Sequence, residues 1–115
     1  PALLGGSPPV AALRGITASL GRLRPGSYAK AIDAIVRYDS SDMLESISVP
    51  TLVISSTEDR VIPQSTSRIL ADRIPDAEWA VIDGAGHLSN MERPAQFNEV
   101  LIRFLLGYEQ RRASQ

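Results

Sequence analysis

Two neighbouring acids and a single histidine are the residues of this sequence that could perform proton-transfer chemistry together. Glu58 and Asp59 follow a short apolar run at residues 51–55. His87, the only histidine among 115 residues, follows a second such run at residues 78–83. A carboxylate that accepts a hydrogen bond from one imidazole nitrogen fixes the tautomer and leaves the other nitrogen free to act as a base. These residue types therefore predict acid–base chemistry if the fold brings them together.

Two predicted strands position these side chains. The β-branched and apolar run at 51–55 is typical of a strand that is buried on both faces, and the run at 78–83 predicts a second strand. A helix predicted to begin at Pro63 joins them by a crossover, so the strands should lie parallel. Because the C-terminal ends of parallel strands meet at one edge of a sheet, we expect Asp59 and His87 to lie side by side.

Other carboxylates lie close to this pair in the sequence. Glu58 is the alternative to Asp59, since neighbouring residues of an extended loop point apart and only one of them can face His87. We expect Asp83 to bond the turn or solvent. Glu92 is expected to favour the N-terminal end of the last helix electrostatically.

The remaining apolar patterns predict helices. A spacing of three to four residues predicts one helix near 8–22 and another that is capped by Ser27 and ends near Tyr38. A last helix should begin at Pro94, carry a long apolar stripe and end at Gly107. Strand, helix, strand, helix is the order of an α/β fold with a parallel sheet, here preceded by a helical layer.

We divide the chain into cap or lid-region helices at 1–46, an α/β core segment at 47–107 and a tail at 108–115. Two parallel strands do not form a stable sheet alone, because each leaves an unpaired edge and an exposed apolar face. We therefore expect the fold to be incomplete by itself. The first residue, Pro1, is not methionine, which favours a gene product that begins earlier.

Three segments resemble the C-terminal portion of an α/β-hydrolase, and they occur in the order of that family: residues 57–63, 84–89 and 92–97. The resemblance covers about residues 47–106. It implies the parallel sheet of that fold, with Asp59 as the acid and His87 as the general base of a catalytic triad. It also implies a serine acyl-enzyme mechanism.

Residues 28–42 are similar to the end of the cap region in hydrolases of the 3-oxoadipate enol-lactonase, esterase and non-haem haloperoxidase type. This similarity implies a small-molecule ester or lactone as the substrate. The Gly-x-Ser-x-Gly elbow that carries the nucleophile of such enzymes does not occur in the sequence. The resemblance therefore implies that an N-terminal half supplies the serine, as part of the same gene product, as a companion chain or as a swapped copy.

Two hypotheses follow from these observations. In the first, the chain provides the acid and histidine of a serine hydrolase, and the 115 residues alone are inactive. In the second, the chain is a non-catalytic ligand-binding or assembly module that lacks a nucleophile.

Composition excludes several other classes of function. The formal net charge of -1 provides no basic surface for nucleic acid or for anionic lipid. With no cysteine and one histidine, neither a thiolate nucleophile nor a histidine-rich metal site is possible, and we expect no cofactor. The longest apolar runs are far shorter than a membrane span of about 20 residues, so we expect a soluble, cytoplasmic protein.

Overall fold

The structure, a computed structural model, describes residues 2–113. In chain order, the helices and strands are α1 (Val10–Leu20), α2 (Pro25–Arg37), a 3-10 helix (Ser41–Ser46), β1 (Leu52–Ser56), α3 (Gln64–Arg73), β2 (Glu78–Ile82), α4 (Ser89–Glu92) and α5 (Pro94–Ala113). Residues 1, 114 and 115 of the predicted cap region and tail lie outside the described residues.

β1 and β2 form a parallel pair with α3 as the crossover between them, which confirms the predicted α/β arrangement. Val53 lies opposite Trp79 in the register. The indole of Trp79 donates a hydrogen bond to the hydroxyl of Ser55 at 3.0 Å, which ties the two strands together through their side chains as well.

The burial of β1 differs from the expectation. Only its last two residues, Ser55 and Ser56, are buried, while the three before them are half-buried. No third strand lies beside the pair within the described residues, so the outer edge of β1 has no strand partner there. A strand of this composition is therefore consistent with a sheet that continues beyond these residues.

The core is small and lies between the sheet, α3 and the loops that follow the strands. Ile82 and Ala85 are the most deeply buried apolar residues, at 1% and 0% exposure. Ala71 brings α3 close to the sheet, and Ile74 covers the end of the helix. Leu4, which precedes α1, is also buried, so the N-terminal segment belongs to this core.

Two predicted helix ends are wrong. Ser27 does not cap α2, because the helix begins at Pro25, whose fixed φ suits the first helical turn and whose missing N–H needs no partner there. α5 continues past Gly107 to Ala113. Arg111 pairs with Glu78 at 3.2 Å and so holds the last turns of α5 against the start of β2. The division of the chain near residue 46 stays a prediction.

Candidate functional site

Asp59 lies in a loop that remains paired to the second strand after β1 has ended. The N–H of Thr57 donates to the carbonyl of Ile82 at 3.1 Å, and the N–H of Glu58 donates to the carbonyl of Ala85 at 2.9 Å. These bonds extend the contact between the strands into the loops that follow them. The acid loop and the histidine loop are thus fixed relative to each other by backbone atoms.

The carboxylate of Asp59 has three hydrogen-bond partners. Oδ1 accepts the backbone N–H groups of Val61 at 2.8 Å and Ile62 at 2.9 Å. Oδ2 lies 3.0 Å from Nδ1 of His87. With a side chain that is 10% exposed, the carboxylate is held in one orientation by its own loop and presented to the imidazole.

Partial burial raises the pKa of Asp59, but the hydrogen bonds from the Ile62 N–H, from His87 and from the Val61 N–H together outweigh it, so the pKa lies below its ordinary value. Asp59 is consequently ionised at neutral pH and can only accept hydrogen bonds. Nδ1 of a neutral His87 must then carry the proton, which leaves Nε2 as a free base.

His87 sits on the loop that follows β2, beyond a turn at Gly84 with a φ of 63°. That left-handed conformation is one that glycine adopts without strain, and it turns the chain directly after the strand. The side chain of His87 is 35% exposed, so the imidazole contacts Asp59 and remains accessible to another molecule. The imidazole is therefore held in one orientation at the carboxyl edge of a parallel sheet, where it can exchange a proton with a bound molecule.

The structure separates Asp59 from its alternative. The carboxylate of Glu58 points to the N-terminal segment, where it accepts the N–H of Gly6. Asp83 bonds the neighbouring loop instead of its own turn or solvent, because its carboxylate accepts the hydroxyl of Thr57, directly after β1, at 3.1 Å. Of the two neighbouring acids, Asp59 is therefore the one that contacts His87.

Sequence reasoning missed the role of Glu92. This residue is only 2% exposed, and its carboxylate accepts backbone N–H groups from Gly5 and Gly86 instead of acting on α5 from the surface. No periodicity in the sequence could indicate this, because both partners are backbone groups of glycines. The helical spacing gives no sign that residues 3–6 lie against the histidine loop.

An apolar cavity of about 520 Å³ opens beside the N-terminal segment and α1. Its walls include Leu3 and Leu4 from the segment, with Leu13 and Ile16 from the helix. The carbonyl of Leu3 accepts the N–H of Leu88, so one wall of the cavity is joined to the histidine loop. A larger cavity of about 630 Å³ lies at the opposite end of the strands and does not border the site.

Within residues 2–113, no cluster of three histidine, cysteine or acidic side chains could hold a metal ion. In the same part of the chain, no helix is both long and apolar enough to cross a lipid bilayer.

The model of the α/β-hydrolase fold family matches residues 17–94, which is more than half of the chain. The match includes both strands, the Asp59 loop and the His87 loop. The chain therefore belongs to the α/β-hydrolase fold family, as the order of its motifs predicts.

Curated relatives include RutD of Yersinia enterocolitica, named as a proposed carbamate hydrolase, which is 34% identical over 77 residues. That alignment covers 67% of this chain and 28% of the relative. The chain thus spans less than a third of the length of this relative.

Two solved structures are similar over part of the chain. A thermophilic esterase from Thermogutta terrifontis is 35% identical with a TM-score of 0.60, covering 62% of this chain and 26% of the esterase. Est816, described as an N-acyl homoserine lactone degrading enzyme, is 48% identical with a TM-score of 0.52, covering 55% of this chain and 24% of that protein. The relatives in all three cases are hydrolases or degrading enzymes by name.

Proposed function

We propose that this chain supplies the acid and the general base of a serine hydrolase that cleaves ester or lactone bonds. Asp59 is the triad acid and His87 the general base. The observation that carries the proposal is the 3.0 Å contact between the Asp59 carboxylate and Nδ1 of His87, at the carboxyl edge of a parallel strand pair from the α/β-hydrolase family.

The proposed mechanism assigns each group one task. Nε2 of His87 takes the proton from the attacking serine hydroxyl, and the imidazolium then gives it to the leaving alcohol. The released His87 next activates water, which hydrolyses the acyl-enzyme. Asp59 holds the imidazole in the reactive tautomer, and its lowered pKa keeps the carboxylate ionised beside the imidazolium that forms.

The substrate class rests on the relatives and on the cavity. A carbamate hydrolase, an esterase and a lactone-degrading enzyme share a substrate carbonyl that a serine can attack. The cavity lined by leucines and Ile16 suits the apolar part of such a substrate. We infer a small-molecule ester or lactone with an apolar acyl or alcohol group.

The proposed partner of the chain is a serine-bearing half of the same fold. Two observations support it: the uncovered edge of β1, and curated relatives more than three times as long as the matched segment. We call the 115 residues together with this half the complete protein. The serine and the groups that stabilise the oxyanion would come from that half, so we expect the 115 residues alone to be inactive.

The proposal is tested on the complete protein with a fluorophosphonate probe and a chromogenic ester. We expect the probe to label one serine outside this sequence, and we expect His87→Ala to lower kcat by roughly 10⁶-fold. Lys30→Ala, a change on the exposed surface of α2, is the control and should keep full activity.

Two results would contradict the proposal. Turnover that is unaffected by His87→Ala would show that His87 is not the general base. A complete protein that binds an ester or lactone tightly but is never labelled and never turns it over would favour a non-catalytic ligand-binding module instead.

A further inference from the structure

We infer that Glu92 is a positioning residue for His87, because it fixes the backbone of the histidine loop against the N-terminal segment. This inference rests on the proposed function, in which His87 is the general base. The carboxylate of Glu92 bonds Gly5 and Gly86 and not the imidazole or Asp59, so it would act on catalysis through the position of the loop.

The carboxylate of Glu92 lies between two pieces of backbone that are far apart in sequence. Oε2 accepts the N–H of Gly5 at 2.9 Å, from 87 positions earlier in the chain. Oε1 accepts the N–H of Gly86 at 3.0 Å, directly before His87. We call this arrangement of Gly5, Gly86 and Glu92 the carboxylate clamp.

The clamp is buried and closely packed. Glu92 is 2% exposed, so removing its carboxylate would leave two buried N–H donors without their acceptor. A Cβ atom built on Gly86 would lie 2.5 Å from the amide nitrogen of Gly5, which shows that the two backbones touch. On the other side of His87, the N–H of Leu88 donates to the carbonyl of Leu3 at 3.3 Å. The loop is thus held on both sides of the histidine.

The clamp complements the contact with Asp59. Asp59 fixes the rotation of the imidazole through Nδ1, but it does not fix where the Cα atom of His87 lies. The peptide of Gly86 fixes the position of this Cα atom, because it is covalently joined to His87 and accepted in a hydrogen bond by Glu92. A general base must lie within hydrogen-bond reach of the proton it removes, and a displacement of about 1 Å costs roughly 100-fold in rate.

The side chain of Glu92 reaches the loop because a short helix returns the chain. The N–H of Glu92 donates to the carbonyl of Leu88 at 3.1 Å, and the N–H of Arg93 donates to the carbonyl of Ser89 at 2.8 Å. This single turn places the carboxylate behind the peptide that precedes His87. An acid at this position serves the loop more directly than it serves the start of α5.

The test replaces Glu92 by glutamine in the complete protein. Glutamine keeps one acceptor oxygen but turns an NH2 group toward the second N–H donor, so one of the two bonds is lost without a change in size. We expect Glu92→Gln to lower kcat about 10–100-fold while KM changes by less than about twofold. Glu99→Gln is the matched control, since Glu99 bonds Arg103 on the exposed surface of α5, and it should behave as the unchanged protein.

A second readout reports on His87 without activity. The proton on Nδ1 that is shared with Asp59 should give a downfield NMR resonance, assigned by its loss in His87→Ala. We expect Glu92→Gln to shift or broaden this resonance, and Glu99→Gln to leave it unchanged. A folded Glu92→Gln variant with unchanged kcat, or with an unchanged His87 resonance, would overturn the inference.

Gly5→Ala provides a second variant in case Glu92→Gln fails to fold. A Cβ at Gly5 would lie 3.1 Å from the Gly86 nitrogen and 3.2 Å from Oε2 of Glu92, so it strains the clamp from the other side. We expect a similar loss of kcat and a shifted resonance, and wild-type values for both would overturn the inference. Full activity of His87→Ala would instead be a failure of the proposed function, and the resonance of His87 would still decide whether Glu92 positions the loop.

Discussion

The loops at the carboxyl edge of the sheet and helix α2 are held in opposite ways. Hydrogen bonds in the loops join residues that are 28 positions apart, as in Asp59 and His87, or 87 apart, as in Gly5 and Glu92. In α2 the side-chain ion pair is the local one of Arg37 with Asp33, and no residue of the helix is buried.

This contrast shows which region is held by residues near it in the sequence and which is held by distant segments. α2 is defined by local hydrogen bonds, and its apolar side chains Tyr28, Ile32, Ile35 and Val36 all lie exposed. The loop edge is defined by contacts between distant segments, so several groups must be in place before the site exists. Changes at the edge should therefore have larger effects than comparable changes in α2.

After His87→Ala, the largest effect is expected from Asp59→Asn in the complete protein. The amide can donate a hydrogen bond to Nδ1 and so favours the wrong tautomer of His87, which should lower kcat by roughly 10³–10⁴-fold. Glu58→Gln is the matched control on the neighbouring residue, and its loss should stay below about tenfold because Glu58 bonds Gly6 and not the imidazole. Ester hydrolysis kinetics of the two variants provide the measurement. Equal losses would show that both acids serve His87.

A smaller effect is expected on stability from alanine at two glycines. At Gly86 the new Cβ would lie 2.5 Å from backbone atoms of Leu4 and Gly5, and relieving this overlap should cost roughly 1–3 kcal/mol in the free energy of unfolding. At Gly26 in α2 nothing lies within 4 Å of the Cβ position, and alanine should stabilise the helix by up to about 1 kcal/mol. Denaturant unfolding of the complete protein compares the two. If Gly86→Ala is as stable as Gly26→Ala, the close approach of the N-terminal segment to the loop is wrong.

The sequence predicts the framework of the site because its signals are local. The alternation of apolar runs and breakers indicates both strands, and the rule for parallel strands brings Asp59 and His87 to one edge. It does not predict that Glu92 is buried, since its partners are the N–H groups of Gly5 and Gly86, which every residue except proline carries. The continuation of α5 past Gly107 brings Arg111 to Glu78, a pairing between distant positions that no local pattern reports.

The same contrast between edge and helices should appear in the pH dependence of stability. The pKa of Asp59 is lower in the folded protein than in the unfolded chain, so the unfolded chain binds more protons in acid. The ionised Asp59 therefore stabilises the folded protein fully above about pH 4. This stabilisation is lost as the pH falls through the lowered pKa. Hydrogen bonds from the Ser41 side chain and backbone also lower the pKa of Asp39, after α2, but that carboxylate is exposed and its contribution is screened by solvent.

Thermal unfolding of the complete protein and of two variants tests this expectation. The difference in Tm between the unchanged protein and Asp59→Asn should shrink as the pH falls below about 4. The corresponding difference for Asp39→Asn should be smaller at every pH. A difference for Asp59→Asn that grows in acid would contradict a lowered pKa of Asp59 in the folded protein.

The smallest effect is expected from Val36→Gln in α2. Val36 is 79% exposed, and a polar side chain at such a position changes the free energy of unfolding by less than about 0.5 kcal/mol. Ile82→Val, at a residue that is 1% exposed, is the buried comparison and should cost about 0.5–1.5 kcal/mol. Both values come from denaturant unfolding of the complete protein. A loss above about 1 kcal/mol for Val36→Gln would mean that polypeptide outside these residues covers the apolar face of α2. Helix α2 would then be stabilised by distant contacts, as the loop edge is. The difference between local contacts in α2 and long-range contacts at the loop edge would apply only to contacts within this chain.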